Sequence, residues 1–410
     1  MTSEAIPLES VPPKEEEFKT GQVLTIVGGH FVHDTYTAFL APLLPLIIEK
    51  LSLSLTLAGS LNAVSQIPAL LNPFIGYLAD RASLRYFVIL APAVTATLMS
   101  SLGFAPNYMS LLGLLFVSGV SIAVFHAPAL AMIGRISGRQ VGKGMSLFMA
   151  GGELGRTVGP LLAVGGVSLW GLEGSYRLVL PGWLASLVLY LLLRQVSARP
   201  AGRGQGDLRA ALPRLGRVFL PLSLISLLRG LPVVSISVYL PTLLNQQGSS
   251  LWAAGSALAL VQAAGVAGAL LSGSVSDRLG RKPVLLVAIL GAALLMLAFL
   301  NLSGWLLIPV LLGLGFLALS TQPVLMAIVQ DQFPEQRAVA NGLYMSVSFL
   351  VLMAGTLLVG SLGDRFGLRQ AYLWSAAASL LALPLLAWLP GRPAQPLAIS
   401  SEETTHDEQR

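Results

Sequence analysis

Cysteine is absent from this chain of 410 residues, and charge is scarce. Without cysteine there are no disulfides, no thiolate metal sites and no cysteine nucleophile. Asp, Glu, Lys and Arg make up only 11% of the residues, where a soluble protein carries roughly 25%. Hydrophobic residues reach 54% and the mean hydropathy is +0.75. A surface so poor in charge is expected to face lipid. No P-loop, dinucleotide fingerprint or serine triad is present, which argues against ATP-driven transport and against an enzyme. The net charge of +6 does not indicate nucleic acid, because the basic residues sit in short gaps between long apolar runs. Residues 1–20 are polar and partly acidic (Lys14, Glu15, Glu16, Glu17). They hold no apolar core before a cleavage site, so the first apolar run is expected to insert uncleaved.

A helix crossing a hydrocarbon core of about 30 Å needs roughly 20 apolar residues. The chain divides into twelve such runs, near 22–48, 53–79, 85–105, 107–133, 141–169, 175–195, 217–244, 251–275, 283–302, 304–330, 337–361 and 369–389. With the N terminus inside, nineteen of the 25 Lys and Arg fall in inside segments. Four fall outside (Lys50, Arg177, Arg365, Arg369), and Arg156 and Arg229 lie within spans. The asymmetry places both termini in the cytoplasm. The basic, glycine-rich stretch 196–216 reads as a cytoplasmic linker between halves 21–195 and 217–390, with 1–20 and 391–410 as disordered tails.

The halves repeat at an offset near 197 residues. Pro42-Leu43-Leu44 matches Pro241-Thr242-Leu243, and His126-Ala127-Pro128 matches Thr321-Gln322-Pro323. Gly76-Tyr77-Leu78-Ala79-Asp80-Arg81 matches Gly273-Ser274-Val275-Ser276-Asp277-Arg278, which continues Leu279-Gly280-Arg281-Lys282. The expected fold is therefore all-α: a polytopic membrane protein with twelve transmembrane helices in two pseudo-symmetric six-helix bundles around a central cavity. The G-x-x-x-D-R-x-G-R-K pattern resembles the signature of the major facilitator superfamily. The first copy departs from it after its Asp-Arg pair, with Ala82-Ser83-Leu84-Arg85. Glycine allows close helix approach, and the aspartate accepts hydrogen bonds from a helix N terminus. Gly76, Asp80, Arg81, Gly273, Asp277, Arg278 and Arg281 are thus expected to form a conformational latch, or in the simpler reading a capped turn.

Ionisable residues inside a span are costly, so each is a functional candidate. Seven stand out: His30, His33 and Asp34 in the first run, His126 in the fourth, Glu153 and Arg156 in the fifth, and Arg229 in the seventh. At about 1.5 Å per residue all seven fall in one slab near mid-membrane. His30, His33 and Asp34 share one helix face, and Glu153 and Arg156 are spaced to pair. Imidazoles beside a carboxylate make a proton-binding unit; the alternative is a buried network that only braces the helices. Gln322 joins Gln262, Asn62 and Gln66 as polar lining candidates.

Two stretches resemble the fosmidomycin resistance protein family within that superfamily. One is Gly29-His30-Phe31-Val32-His33-Asp34 with Pro42-Leu43-Leu44-Pro45. The other runs from Ser118-Gly119 through Phe125-His126 to Gly144-Met145-Ser146-Leu147-Phe148-Met149, then Gly151-Gly152-Glu153-Leu154-Gly155 and Gly159-Pro160-Leu161-Leu162. The family's proline directly after histidine is Ala127 here, with Pro128 one position later. Gly155-Arg156-Thr157-Val158-Gly159-Pro160 also resembles the G-x-x-x-G-P motif of superfamily antiporters, and Gly155, Gly159 and Pro160 are expected to pack the fifth helix closely. The resemblance implies a monomeric, cofactor-free secondary transporter in the cell membrane. It further implies proton-driven efflux (antiport) of small drug-like or anionic compounds, with His30, His33, Asp34, His126 and Arg229 at the cavity wall. Uptake symport, facilitated diffusion, and metal-ion export through His30, His33, Asp34 and His126 are the alternatives. The expected partners are protons, a small-molecule substrate and the lipid bilayer.

Overall fold

A computed structural model describes residues 17–72, 74–75, 78, 84–196, 208–333 and 337–390. Among these, every regular element is helical. The helices are α1 (Thr20–Thr37), α2 (Leu40–Leu51), α3 (Leu55–Gln66), α4 (Arg85–Ser100), α5 (Tyr108–Ile136), α6 (Val141–Gly174), α7 (Val179–Leu193) and α8 (Leu208–Val234). They continue with α9 (Leu240–Gln246), α10 (Leu251–Leu279), α11 (Arg281–Asn301), α12 (Leu307–Gln332), α13 (Arg337–Phe366), α14 (Leu368–Leu380) and the short α15 (Ala382–Leu385).

Among the described residues ten helical stretches are long and apolar enough to cross a membrane, and Leu55–Leu71 is a shorter apolar one. The longest, Val141–Leu193, has 53 residues. Laid straight it would extend about 80 Å, far more than a bilayer core. It breaks at Gly171, whose φ of 72° and ψ of 173° interrupt α6 shortly before its end. Helix α8 starts at Leu208, ahead of the membrane-capable stretch Val218–Gln246. Leu208-Arg209-Ala210-Ala211-Leu212 are strong helix formers, and their propensity carries the helix back beyond the apolar run that marks the span.

Local chemistry sets the helix starts and kinks. Ser54 caps α3 by accepting from the Leu57 amide, and Ser250 caps α10 by accepting from the Ala253 amide. Asn107 and Ser110 form a reciprocal capping box on α5. Pro42 cannot donate to the backbone four residues earlier, and the helix breaks at Ala38–Phe39 between α1 and α2. Pro241 follows a π turn over Ser235–Tyr239 for the same reason.

Packing decides where the site lies. Within the first half α1 packs on α6, α4 on α5 and α7, and α3 on α5. Within the second half α10 packs on α12, α12 on α11, and α8 on α13 and α14. Between halves α3 packs on α13, α6 on α10, and α2 on α9. The buried apolar residues form three clusters. One joins both halves, placing Leu43, Leu44, Leu55 and Leu61 with Tyr239, Leu240, Leu243 and Leu314. The other two stay within a half each: Ile26, Ile89, Phe125 and Phe148 in one, Leu222, Ile225, Ile289 and Leu325 in the other. Among the described residues the halves therefore share a core at one end and hold separate cores at the other.

The α1–α6 seam is the closest approach near the candidate residues. A side chain at Gly155 would fall on the Phe31 carbonyl, and one at Gly159 on the Thr35 carbonyl. Pro160 sits on the other side of α6, where its carbonyl lies against Gly255 of α10. Replacing Gly159 with leucine is expected to cost about 1–3 kcal/mol through overpacking. Thermal melting in detergent measures this; an unchanged midpoint would mean the seam is not close-packed.

Candidate functional site

Three of the predicted residues converge. His30 and Asp34 lie one turn apart on α1, and His126 reaches them from α5. The Nε2 atoms of His30 and His126 are 3.3 Å apart. Asp34 places Oδ2 3.4 Å from the His30 Nε2 and Oδ1 3.6 Å from the His126 Nε2. Asp34 and His30 are each 3% exposed, while the His126 side chain is 34% exposed and forms the open corner of the triangle.

The backbone decides which nitrogen carries hydrogen. His30 Nδ1 lies 2.8 Å from the Phe148 carbonyl oxygen, and His126 Nδ1 lies 2.9 Å from the Ile122 carbonyl oxygen. A carbonyl only accepts, so both Nδ1 atoms donate, and in a neutral imidazole Nε2 is then a bare lone pair. Two such lone pairs and a carboxylate face one another without a hydrogen between them. Electrostatics disfavours that arrangement until a proton enters, and a proton on either Nε2 gives it a hydrogen bond to the other ring or to Asp34.

Aromatic walls hold the rings. His30 stacks on Phe148 with centroids 3.9 Å apart, and His33 stacks on Phe125 at 4.3 Å. Gly152 completes the enclosure from α6, because a side chain there would fall on the His30 imidazole and reach Asp34 Oδ2. His33 is fully buried. Its ring centroid is 5.8 Å from that of His126, and its nitrogens make no hydrogen bond of ordinary geometry. The triangle thus takes His30, Asp34 and His126 and leaves His33 as packing beside it.

Glu153 and Arg156 form an ion pair on α6, more exposed than Asp34. Arg156 is near enough to act by charge on Asp34 and His126. Arg229 lies apart from these, in the second half. It donates to Thr321 Oγ1 at 2.8 Å and to Gln322 Oε1. Tyr344 also donates to Gln322 Oε1, at 3.2 Å, and the Gln322 amide reaches Ser348 at 3.4 Å. Among the described residues no carboxylate pairs with Arg229, and its buried Nε makes no hydrogen bond. The sequence reading missed Tyr344 and Ser348; their spacing of one helical turn, which puts both on one face of α13, was the available signal.

The second-half signature turn is tied within its own half. Arg281 pairs with Asp277 at 2.8 Å and with Asp331 of α12 at 3.2 Å, and it donates to Ser276 Oγ at 2.6 Å. Arg278 is exposed. Gly273 faces open space, with nothing within 4 Å of where a side chain would begin, so the close approach expected there is not made. Gly76, Asp80 and Arg81 lie outside the described residues.

Residues 26–356 match the Major Facilitator Superfamily, and the chain belongs to that family of transporters, not enzymes. It is 27% identical over 373 residues to the fosmidomycin resistance protein of Escherichia coli (strain K12), covering 88% of this chain and 90% of that protein. It is 24% identical over 401 residues to an uncharacterized MFS-type transporter, YfnC, of Bacillus subtilis (strain 168), covering 94% of this chain and 96% of that one. Among solved structures, it superposes on a bacterial homolog of the human lysosomal transporter Spinster in an inward-facing, unoccupied conformation. The TM-score is 0.76 at 16% identity, covering 92% of this chain and 97% of that one. A D-xylose-proton symporter matches with a TM-score of 0.73 at 15% identity, covering 93% and 100%. The protein is a multi-pass membrane transporter with the fold of these structures.

The chain has four histidines, so nitrogen-15 histidine spectra are tractable. His30 and His126 are expected to keep hydrogen on Nδ1 throughout a pH titration, with only Nε2 changing state. A resonance showing either ring with hydrogen on Nε2 and none on Nδ1 would overturn the assignment.

Proposed function

We propose that this protein is a proton-coupled exporter of small drug-like or anionic compounds, working by alternating access. In this reading twelve helices cross the membrane in two six-helix bundles, with both termini in the cytoplasm of a monomer. The described ends that carry most Lys and Arg belong to the end where the halves hold separate cores, which supports a cavity open to the cytoplasm. The observation that carries the proposal is the His30–Asp34–His126 triangle, whose three facing acceptors are reconciled by one added proton.

Several titratable or charged groups face this site. Helix α1 contributes His33, α6 contributes Glu153 and Arg156, and the described parts of α4 and α7 bring no charge to it. The exposed edge of His126 is where cargo meets the triangle. A polar group of the cargo that bonds Asp34 or His126 there displaces the shared proton, and exchange follows. Arg229 supplies the second contact. A guanidinium in the membrane with no carboxylate partner among the described residues favours an anionic or strongly accepting group on the cargo. Similarity to a fosmidomycin resistance protein supports export as the direction.

Proteoliposomes with an internal pH dye test this. Cargo added to wild type is expected to move protons opposite to itself, while Asp34→Asn abolishes proton movement. Protons moving with the cargo would make the protein a symporter. Equal cargo flux in wild type and Asp34→Asn, with no pH change, would sink proton coupling altogether. Loss of transport on adding a chelator would point instead to a metal cargo.

Arg229→Gln is a separate check on the cargo. It is expected to weaken transport of anionic compounds about tenfold or more, the value of one charge-assisted hydrogen-bond pair, and to leave neutral compounds nearly unchanged. Equal losses for both classes would assign Arg229 to helix bracing.

A further inference from the structure

The end where the halves share a core carries a polar contact that the site does not use. Asp364 lies near the end of α13 in the second half, and α3 begins the facing helix of the first half. Asp364 Oδ1 accepts from the Leu55 amide at 2.6 Å. Its Oδ2 accepts from the Thr56 amide at 2.9 Å and from the Thr56 hydroxyl at 2.5 Å. Amides in the first turn of a helix have no partner within the helix, and the N terminus carries partial positive charge. Ser54 satisfies only the Leu57 amide. A carboxylate from the opposite half supplies the rest.

The surrounding contacts hold this one in place. The buried Tyr239 hydroxyl, also from the second half, sits 3.2 Å from the Leu55 carbonyl and 2.9 Å from the Thr356 carbonyl, sharing its hydrogen between them. Gly59 and Gly360 let the two helices meet. A side chain at Gly59 would strike the Tyr239 hydroxyl, and one at Gly360 would fall on the Leu55 carbonyl and the same hydroxyl. A second seam between halves at this end, α6 on α10, is apolar where Val164 meets Gly255 and Gly165 meets Trp252.

The sequence around Asp364 has a familiar spacing. Gly360-Ser361-Leu362-Gly363-Asp364-Arg365-Phe366-Gly367 repeats the G-x-x-x-D-R-x-G pattern of Gly273 to Gly280, but at the opposite end of the helices. The Asp277 copy pairs with Arg281 inside its own half. The Asp364 copy bridges the halves.

We propose that Asp364 is the latch of the closed gate. Its carboxylate on the α3 N terminus holds the two halves together at this end, and its release accompanies opening there. The inference rests on the alternating-access reading above.

The cysteine-free chain allows a direct test. Spin labels on Pro106→Cys and Ser303→Cys, exposed positions in loops of opposite halves at this end, report the gate by electron–electron distance. Wild type is expected to give a dominant short distance. Asp364→Ala is expected to raise the long-distance population about fivefold, the equilibrium shift that loss of a helix cap produces. Asp364→Asn, which keeps an accepting oxygen, is expected to fall between the two. Thr56→Val removes one of three donors and is expected to shift the population the same way by less, which keeps the test decisive should the alanine variant fail to fold. Unchanged distance distributions in Thr56→Val and in a monodisperse Asp364→Ala protein would overturn the latch. Proton movement is measured separately. A shifted gate in a protein that moves no protons leaves the latch standing and refutes the coupling; an unshifted gate in a coupled transporter does the reverse.

Discussion

Two imidazoles whose Nδ1 hydrogens are committed to backbone carbonyls cannot face each other and a carboxylate at 3.3–3.6 Å without a cation among them. That constraint organises the first half. The carbonyls belong to Phe148 on α6 and Ile122 on α5, so the His30 tautomer depends on where α6 places its backbone, while His126 is fixed by the preceding turn of its own helix. Gly152 keeps the space that the rings occupy, and Gly155 and Gly159 bring α6 close enough to α1 for Phe148 to reach His30. Phe125 and Phe148 then stack on His33 and His30 and limit how far either ring can turn. A buried polar cluster tolerates such crowding only when each member is satisfied. Here satisfaction is one proton short, which is what a site that takes up and releases a proton requires.

The two halves carry opposite kinds of imbalance. The triangle in the first half gathers acceptors, while Arg229 in the second is a donor group with neutral partners only. Thr321 and Gln322 orient the guanidinium without neutralising it. In the proposed function each imbalance is completed by something mobile: a proton on one side, an accepting group of the cargo on the other. Glu153 and Arg156, paired within one helix, are nearly neutral to the outside and suit a role in tuning their neighbours.

Much of this was legible from residue types and positions. Rare charges in apolar runs named His30, Asp34, His126 and Arg229 because burying them costs free energy that only function or pairing offsets. The repeat matched the proline-linked kinks before α2 and α9. What the sequence could not supply was the tautomer of either histidine, since backbone carbonyls have no residue type to read. Nor could it separate His33 from His30: both lie on one helix face, and only the packing of Phe125 and Phe148 sends one ring into the triangle and the other aside. Tyr344 and Ser348 read as ordinary polar residues until Gln322 is seen beside them. The turns of α8 before Val218 lay outside the apolar run, because a hydropathy pattern marks lipid contact, whereas helix propensity carries a helix beyond it. Asp364 was overlooked because a charge at the end of a span reads as topology.

The arrangement of cores explains why the closed end needs a polar latch at all. A shared apolar cluster is non-directional, and its stabilisation fades only gradually as surfaces slide. A gate held by that alone would loosen by degrees. Hydrogen bonds from Leu55 and Thr56 to Asp364 are short and directional, so they are either made or lost over a small displacement. Placing them beside the glycine contact of α3 and α13 puts the all-or-none element where backbones touch and motion is most strongly geared. The apolar seam of α6 on α10 can then shift while remaining covered. A polar seam and an apolar seam give the proposed gate a switch and a bearing, and α6, which forms the apolar one, also carries Phe148 and Gly152 against the triangle.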